Sequence, residues 1–170
     1  MDRRAFLAGT TTAIGVGLAG CSTDSGSGDG ENGDGQGVEP ADESTGARSE
    51  QSLRLVVGEE LAGSEWQSIG ATYPRDRFTV QSAQHEDIFL GVDTSGNGTA
   101  DEEFGPDAIS GVNNNDFSFT IEVDSGYTLT DGDTVLVDYP AVDNPDEAGE
   151  YEVELIINEV QTGTVTVTIG

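Results

Sequence analysis

Residues 117–123 read Phe-Ser-Phe-Thr-Ile-Glu-Val, and this alternation of apolar and polar side chains decides the fold. Phe117, Phe119, Ile121 and Val123 share one face of an extended chain, because successive side chains of a β-strand point to opposite sides. The serine, threonine and glutamate between them occupy the other face. One apolar and one polar face are typical of an antiparallel sheet that covers a core on one side only. The stretch therefore predicts a half-buried antiparallel sheet.

The same period of two recurs nearer the C-terminus. Residues 151–157 set Tyr, Val, Leu and Ile against glutamates, and residues 165–169 alternate Val, Val and Ile with threonines. Other candidate strands, bounded by Gly, Asp, Asn or Pro, are residues 53–57, 66–71, 78–82, 87–92 and 134–139. A single helical turn is expected at residues 108–112. About seven or eight short strands with frequent turn signals predict an all-β antiparallel β-sandwich over residues 52–170.

A local pattern refines this expectation. Residues 144–153 read Asn-Pro-Asp-Glu-Ala-Gly-Glu-Tyr-Glu-Val, which resembles the approach to a late strand in bacterial and archaeal immunoglobulin-like surface domains. The resemblance implies an immunoglobulin-like topology for the sandwich. The Cys…Trp…Cys framework of true immunoglobulin domains is missing from the sequence. Trp66 is expected in the core, because large aromatic side chains mostly pack inside.

The first residues have the composition of an export signal. The chain opens Met-Asp-Arg-Arg-Ala-Phe-Leu, and an apolar stretch with several Gly and Thr residues runs to Ala19. It is too short for a membrane-spanning helix, which needs roughly 20 apolar residues, and it fits a signal peptide. Arg3 and Arg4 lie in a run that resembles twin-arginine (Tat) signals, which carry folded cargo across the membrane. Asp2 and Ala8 depart from that family pattern. Residues 1–20 are therefore predicted to be a Tat signal peptide.

Residues 18–21 read Leu-Ala-Gly-Cys and resemble a lipoprotein box. The resemblance implies cleavage before Cys21, lipid on its sulfur, and attachment to the outer face of the cytoplasmic membrane at the cell surface. Cys21 is the only cysteine, so no internal disulfide can form. The alternative is that Cys21 is an incidental thiol. Residues 21–51 are rich in Gly, Ser, Asp and Glu, and we expect a flexible, disordered linker there.

The charge balance limits the partners. The chain has 33 acidic and six basic residues, all of them arginine, and a formal net charge of −27. Such a surface repels nucleic acid and anionic lipid headgroups, so we exclude nucleic acid as a partner. At about 1 M salt the Debye length falls to roughly 3 Å, and distant repulsion is screened. Together with the signal, this composition resembles that of the cell-surface lipoproteins of haloarchaea, which implies a halophilic exported protein.

Residues 93–101 read Asp-Thr-Ser-Gly-Asn-Gly-Thr-Ala-Asp and resemble the calcium loop of EF-hands and related repeats. The resemblance implies oxygen ligands from Asp93, Ser95, Asn97, the Thr99 carbonyl and Asp101. Position 104 is Phe where the family has a bidentate glutamate, and the flanks have the pattern of a strand and a turn. The hypothesis is thus a structural Ca²⁺ site that stabilises the fold, and the alternative is a polar loop between strands.

Residues 97–99, Asn-Gly-Thr, also form the only N-glycosylation sequon of the chain. A glycan on Asn97 and a cation ligated by the same side chain compete with each other. The sequence therefore leaves both alternatives open for this residue.

The sequence lacks the residues of common catalytic and redox sites. His85 is the only histidine, whereas a blue-copper site needs two His, one Cys and usually a Met. The neighbouring acids Glu86 and Asp87, or Glu102 and Glu103, are the only candidates we consider for acid–base work. We expect no enzyme and no cofactor besides the Ca²⁺ alternative. The leading hypothesis is non-enzymatic binding of envelope proteins or glycans, or a structural role there, and the alternative is an ion- or ligand-binding module at residues 93–103.

Overall fold

The computed structural model describes residues 35–170; Arg3, Arg4 and Cys21, with the predicted signal peptide, lie outside these residues. The described chain forms eleven strands and two short 3₁₀ helices, His85–Asp87 and Pro106–Ala108. The strands are β1 Gly37–Pro40, β2 Arg48–Val56, β3 Ser68–Thr72, β4 Thr79–Val80, β5 Phe89–Asp93, β6 Glu102–Phe104, β7 Ile109–Asn115, β8 Ser118–Val123, β9 Thr134–Asp143, β10 Gly149–Ile157 and β11 Gln161–Ile169. Nothing helical within residues 35–170 has the length and apolar character needed to cross a bilayer.

The strands pair into two antiparallel sheets. The first has the order β1-β2-β9-β5-β6, with β4 also pairing with β9. The second has the order β11-β10-β3-β8-β7. The predicted all-β antiparallel sandwich is confirmed.

The core lies between the inner faces of the two sheets, where the predicted alternation places its apolar residues. Phe119, Ile121 and Val123 of β8 are buried, as are the valines and the final isoleucine of β11. Phe119 stacks on Tyr139 of β9, with ring centroids 3.9 Å apart and planes inclined by 8°. Because β8 and β9 belong to different sheets, this stack joins the two layers. Each fully buried large apolar side chain contributes roughly 1.5–3 kcal/mol.

Trp66 is a core residue, as predicted. Its exposed fraction is 0%, and its ring meets Phe104 edge to face at 5.6 Å between centroids. Its indole Nε1 finds no hydrogen-bond acceptor among the described residues. Trp66 therefore fills the core through its apolar surface.

The expected boundary between linker and domain at residue 52 is wrong, because the fold includes earlier residues. β1 pairs with β2, where Val38 lies opposite Leu53. Val38 is buried, and so are Ser49 and Gln51 of β2. The buried Gln51 Nε2 donates a hydrogen bond to Asn144 Oδ1 at 3.3 Å. Residues 37–40 and 48–51 therefore belong to the first sheet, and the linker prediction does not hold for them.

Two other local expectations are corrected. The predicted turn at residues 108–112 is mostly strand: the 3₁₀ turn ends at Ala108, and β7 begins at Ile109. β7 is extended because it pairs with β8 through a tight connection, in which Asn115 Oδ1 accepts hydrogen bonds from the N–H groups of Phe117 and Ser118, both at 3.0 Å. The strand expected to begin at residue 87 begins at Phe89, after the 3₁₀ turn. The additional strands β1, β6 and β7 raise the number above the seven or eight expected.

Candidate functional site

The residues considered for catalysis do not form a cluster. His85, Glu86 and Asp87 are exposed on their 3₁₀ turn. Glu102 and Glu103 are consecutive residues of β6, so their side chains point to opposite faces of the sheet. Within residues 35–170, no three His, Cys, Asp or Glu side chains converge in a way that could hold a metal ion.

The loop at 93–101 is organised around two carboxylates. Asp93 ends β5 and is 1% exposed. Its Oδ1 accepts hydrogen bonds from Ser95 N at 2.9 Å, Ser95 Oγ at 3.1 Å and Gly96 N at 2.7 Å. Its Oδ2 accepts one from Gly98 N at 2.6 Å. The loop therefore turns around the Asp93 carboxylate, and the positive φ of both glycines, 71° and 83°, permits this path.

Asp101 closes the loop from its other end. Its Oδ2 accepts hydrogen bonds from Thr94 N at 2.9 Å, Thr94 Oγ1 at 3.0 Å and Ser95 N at 3.0 Å. Its backbone N–H donates to Val92 O at 2.9 Å. Both ends of the loop are thus fixed to the first sheet.

These hydrogen bonds set the protonation of the two acids. Burial raises the pKa of Asp93, but the N–H groups of Gly98, Gly96 and Ser95 outweigh it and hold that pKa below its ordinary value. Hydrogen bonds from Ser95 and then from Thr94 lower the pKa of the Asp101 carboxyl. Both groups are therefore ionised at neutral pH.

Of the predicted calcium ligands, Asp93, Ser95 and Asp101 are brought together by hydrogen bonds, and both carboxylates already have partners. N–H and O–H donors surround the oxygens of Asp93, and a cation would have to displace some of them. Asn97 and Thr99 lie outside that hydrogen-bond network: Asn97 Oδ1 accepts from Thr99 N at 2.8 Å, and both residues are exposed. Calcium binding stays a prediction, which calorimetry at high ionic strength would check with Asp93→Ala as the control.

A second feature, which sequence reasoning missed, is an arginine-bearing end of the sandwich. The connection from β3 to β4 reads Pro-Arg-Asp-Arg-Phe at residues 74–78, and Asp76 has a left-handed φ of 61°. Arg75 is exposed, and its guanidinium carbon lies 4.0 Å from the centroid of the Phe117 ring. This distance is typical of a cation–π contact.

The other arginines of the described chain are paired with carboxylates. Arg48 holds Asp143 through Nε to Oδ1 at 2.6 Å and Nη2 to Oδ2 at 3.2 Å. Arg77 pairs with Glu147, and Arg54 lies 3.7 Å from Glu39. These pairs are surface pairs, and each contributes little to stability.

The Asp143 carboxyl accepts a hydrogen bond from a second side chain besides Arg48. The hydrogen bond from Arg48 lowers its pKa, partial burial opposes this, and Gln81 Nε2, which donates to Oδ2 at 2.8 Å, lowers it further. Asp143 therefore remains a charged partner for Arg48 at neutral pH.

Two adjoining open cavities surround the arginines. One of about 750 Å³ is lined by residues that include Arg48 and Arg77 and the aspartates Asp76, Asp143 and Asp146. The other, of about 560 Å³, is lined by residues that include Arg75, Asp116 and Phe117. Both share Asp76 and Thr79 as lining residues. We call this surface, defined by Arg48, Arg75, Arg77 and Phe117, the arginine end.

The arginine end and the 93–101 loop lie at opposite ends of the first sheet. Asp93 pairs with Thr134 at the start of β9, and Arg48 pairs with Asp143 at the end of that strand. A ten-residue strand spans roughly 30 Å. Gly35, the first described residue, shares a cavity with Asn97. The chain therefore enters the sandwich at the end that carries the 93–101 loop.

The sequence contains one signal for the arginine end. Two of the four arginines after residue 35 are separated by a single residue, in a chain without lysine. Arg48 lies far from them in sequence, and it joins them because both Arg48 and Thr79 pair with Asp143 of β9. That register could not be read from the sequence.

Comparison with known proteins finds similarity in structure only. No protein-family profile matches the chain, and no curated protein is similar in sequence. The bacterial hydrophobin BslA is 15% identical, with a TM-score of 0.42 over 79% of this chain and 93% of that one. An uncharacterized Nocardia farcinica protein with an immunoglobulin-like fold is 13% identical, with a TM-score of 0.42 over 79% and 97%. The collagen-binding domain of a Staphylococcus aureus adhesin is 9% identical, with a TM-score of 0.42 over 79% and 94%.

Proposed function

We propose that this protein is a lipid-anchored cell-surface protein whose β-sandwich binds a partner at the envelope without catalysing a reaction. The Tat-like run at Arg3 and Arg4 and the lipoprotein box ending at Cys21 support export and anchoring. The sandwich and its dispersed titratable residues support a binding role. The partner is an acidic protein of the same envelope, and the contact surface is the arginine end.

The observation that carries this proposal is the uneven distribution of positive charge. Five of the 33 acids and two of the six arginines precede residue 35, which leaves 28 acids and four arginines in the described chain. Three of those four arginines belong to the arginine end. Four aspartates line the same two cavities, so the arginine end has no net positive charge, and its attraction for an acidic partner comes from the guanidinium groups themselves.

Arg75 is the arginine whose hydrogen-bond donors are available for that contact. Among the described residues it pairs with no carboxylate, while Arg48, Arg54 and Arg77 each have one. Its guanidinium is held over the Phe117 ring, which leaves the edge donors of the planar group available. A carboxylate of the partner would accept two parallel hydrogen bonds from that edge. Such a short-range contact persists at molar salt, where long-range attraction is screened.

The binding test uses affinity purification from native envelopes at molar salt, with three versions of the chain made at equal levels. Arg75→Gln removes the charged guanidinium group and its paired donors. Arg54→Gln removes an arginine outside the arginine end. We expect at least about a tenfold lower partner recovery with Arg75→Gln, because a charge-assisted hydrogen bond contributes about 1.5–3 kcal/mol. Arg54→Gln should behave as the unmodified chain does. Equal recovery from all three would reject the arginine end as the contact surface.

Anchoring is tested separately by intact-mass measurement of the envelope protein. The expected mass corresponds to a chain beginning at Cys21 that carries acyl groups. Cys21→Ser should release the protein from the membrane, because two or more buried acyl chains are needed for stable attachment. An uncleaved, unmodified chain recovered from the cytosol would overturn the proposal of a surface lipoprotein.

A further inference from the structure

The sequon at Asn97 lies where a modifying enzyme can reach it in the folded protein. Residues 94–99 are all exposed and lie outside the strands. Neither Gly96 nor Gly98 has an atom within 4 Å of where a Cβ would stand. A side chain at either neighbour of Asn97 would therefore meet no other part of the described chain, which leaves room at the tip of the loop.

The hydrogen bonds of the loop leave the reactive nitrogen of Asn97 available. Asn97 Oδ1 accepts the Thr99 N–H at 2.8 Å, and within residues 35–170 its Nδ2 donates to no acceptor. Asn97 also makes no hydrogen bond to Asp93 or Asp101, whose carboxylates hold the base of the loop. The base is thus fixed while the side chain of Asn97 remains outside the fixed network.

We infer that Asn97 carries an N-linked glycan, added after the domain has folded. This inference rests on the proposed export through the Tat-like signal, since such signals carry folded cargo. A folded substrate can be modified only at a sequon that its native structure exposes, and Asn97 meets this condition. A glycan here projects from the tip of the loop and displaces no core residue.

The donor is an oligosaccharide linked to a lipid phosphate. The Asn97 Nδ2 forms a bond to the anomeric carbon of the sugar, and the bond from that carbon to the phosphate oxygen breaks. The lipid phosphate leaves with the electron pair, and the amide proton passes to a base of the transferase. The Thr99 hydroxyl completes the recognition sequence.

The experiment compares intact and glycopeptide masses of the full chain from the envelope of its native cells, with three variants. Asn97→Gln and Thr99→Ala both destroy the sequon, and Thr99→Ser is the matched control that keeps it. We expect a glycan mass on the peptide containing Asn97 in the unmodified chain and in Thr99→Ser, and complete loss of that mass in the other two. Unchanged Trp66 fluorescence would show that the variants fold.

The same spectra separate this inference from the proposed function. Acylated Cys21 with no glycan on Asn97 overturns the inference and leaves the surface lipoprotein in place. A glycan that persists in Thr99→Ala overturns the assignment to the sequon. A chain with neither cleavage nor glycan counts against both.

Discussion

Tyr73 and Tyr139 show how two buried hydroxyl groups can differ in their effect on stability. Tyr139 donates its hydroxyl hydrogen to the Gln81 carbonyl at 2.6 Å. The Tyr73 hydroxyl, also buried, finds no partner in the described chain. Burial raises the pKa of both phenols, to about 12 for Tyr139. Both groups are therefore neutral at physiological pH, and only the hydrogen bond distinguishes them.

Removing each hydroxyl should have opposite consequences. Tyr139→Phe should lower the free energy of unfolding by about 1 kcal/mol, because it leaves the Gln81 carbonyl without its donor. Tyr73→Phe should leave that free energy unchanged or raise it by up to about 2 kcal/mol, because an unpaired polar atom leaves the core. Denaturant unfolding followed by Trp66 fluorescence measures both. An equal loss in the two variants would contradict this account.

Asp93 should make stability depend on pH in the acidic range. Its folded pKa lies below the unfolded value of about 3.9, so its contribution is complete above that value and disappears as the pH falls through the folded pKa. We expect Asp93→Asn to be less stable than the unmodified chain at pH 7 and to lose less stability on acidification. Asp131→Asn is the control, because exposed Asp131 accepts no side-chain hydrogen bond from the described residues. Indistinguishable pH profiles of the two variants would refute the role of the loop hydrogen bonds.

At the level of elements, the sequence predicted the strands whose pattern is long and regular. β8, β10 and β11 alternate over several residues, and their inner faces are buried as expected. β1 was missed because Val38 is its only large apolar side chain, in a stretch otherwise rich in turn-forming and charged residues. Pairing with β2, which is a long-range interaction, makes it a strand.

The two candidate sites also differ in how much of each could be predicted from the sequence. The 93–101 loop is a continuous stretch, so the sequence identified its carboxylates, Asp93 and Asp101, as candidate calcium ligands. It did not reveal that the carboxylates face the N–H groups of their own loop. The arginine end was missed because its residues come together only through the register of β4 and β2 on β9.

β3 lies at the centre of the second sheet and leaves no room for a larger residue at Gly70. A Cβ there would lie 2.7 Å from the Phe119 carbonyl oxygen of β8, which is backbone and cannot move aside cheaply. Gly70→Ala should therefore lower the free energy of unfolding by about 1–3 kcal/mol, the range for overpacked sites. Gly37→Ala in β1, where a Cβ meets nothing within 4 Å, is the control and should change it little. Thermal unfolding compares them, and equal midpoints would contradict the steric argument.

For the whole molecule, the dominant physical property is self-repulsion. Residues 35–170 carry 28 acids and four arginines, which give this small domain a formal charge of −24. Repulsion among these carboxylates favours expansion, and salt weakens it.

Stability should therefore rise with ionic strength. Between about 0.1 M and 1 M salt the Debye length falls from roughly 10 Å to roughly 3 Å, which screens most pairs of surface charges. We expect the midpoint of thermal unfolding to increase over that range and to do so alike for sodium and potassium chloride. A midpoint that stays constant, or falls, would show that the surface charges do not limit stability.

The position of Gly35 determines which end of the sandwich the N-terminal segment joins. Gly35 lies beside Val56, near the start of β9, and the far end of that strand carries Arg48 and its neighbours. If Cys21 holds the lipid, fourteen residue steps join it to Gly35, a stretch of at most about 50 Å. The arginines can then reach up to about 80 Å above the lipid, once the roughly 30 Å of β9 is added. They could therefore contact a partner that extends far above the headgroups.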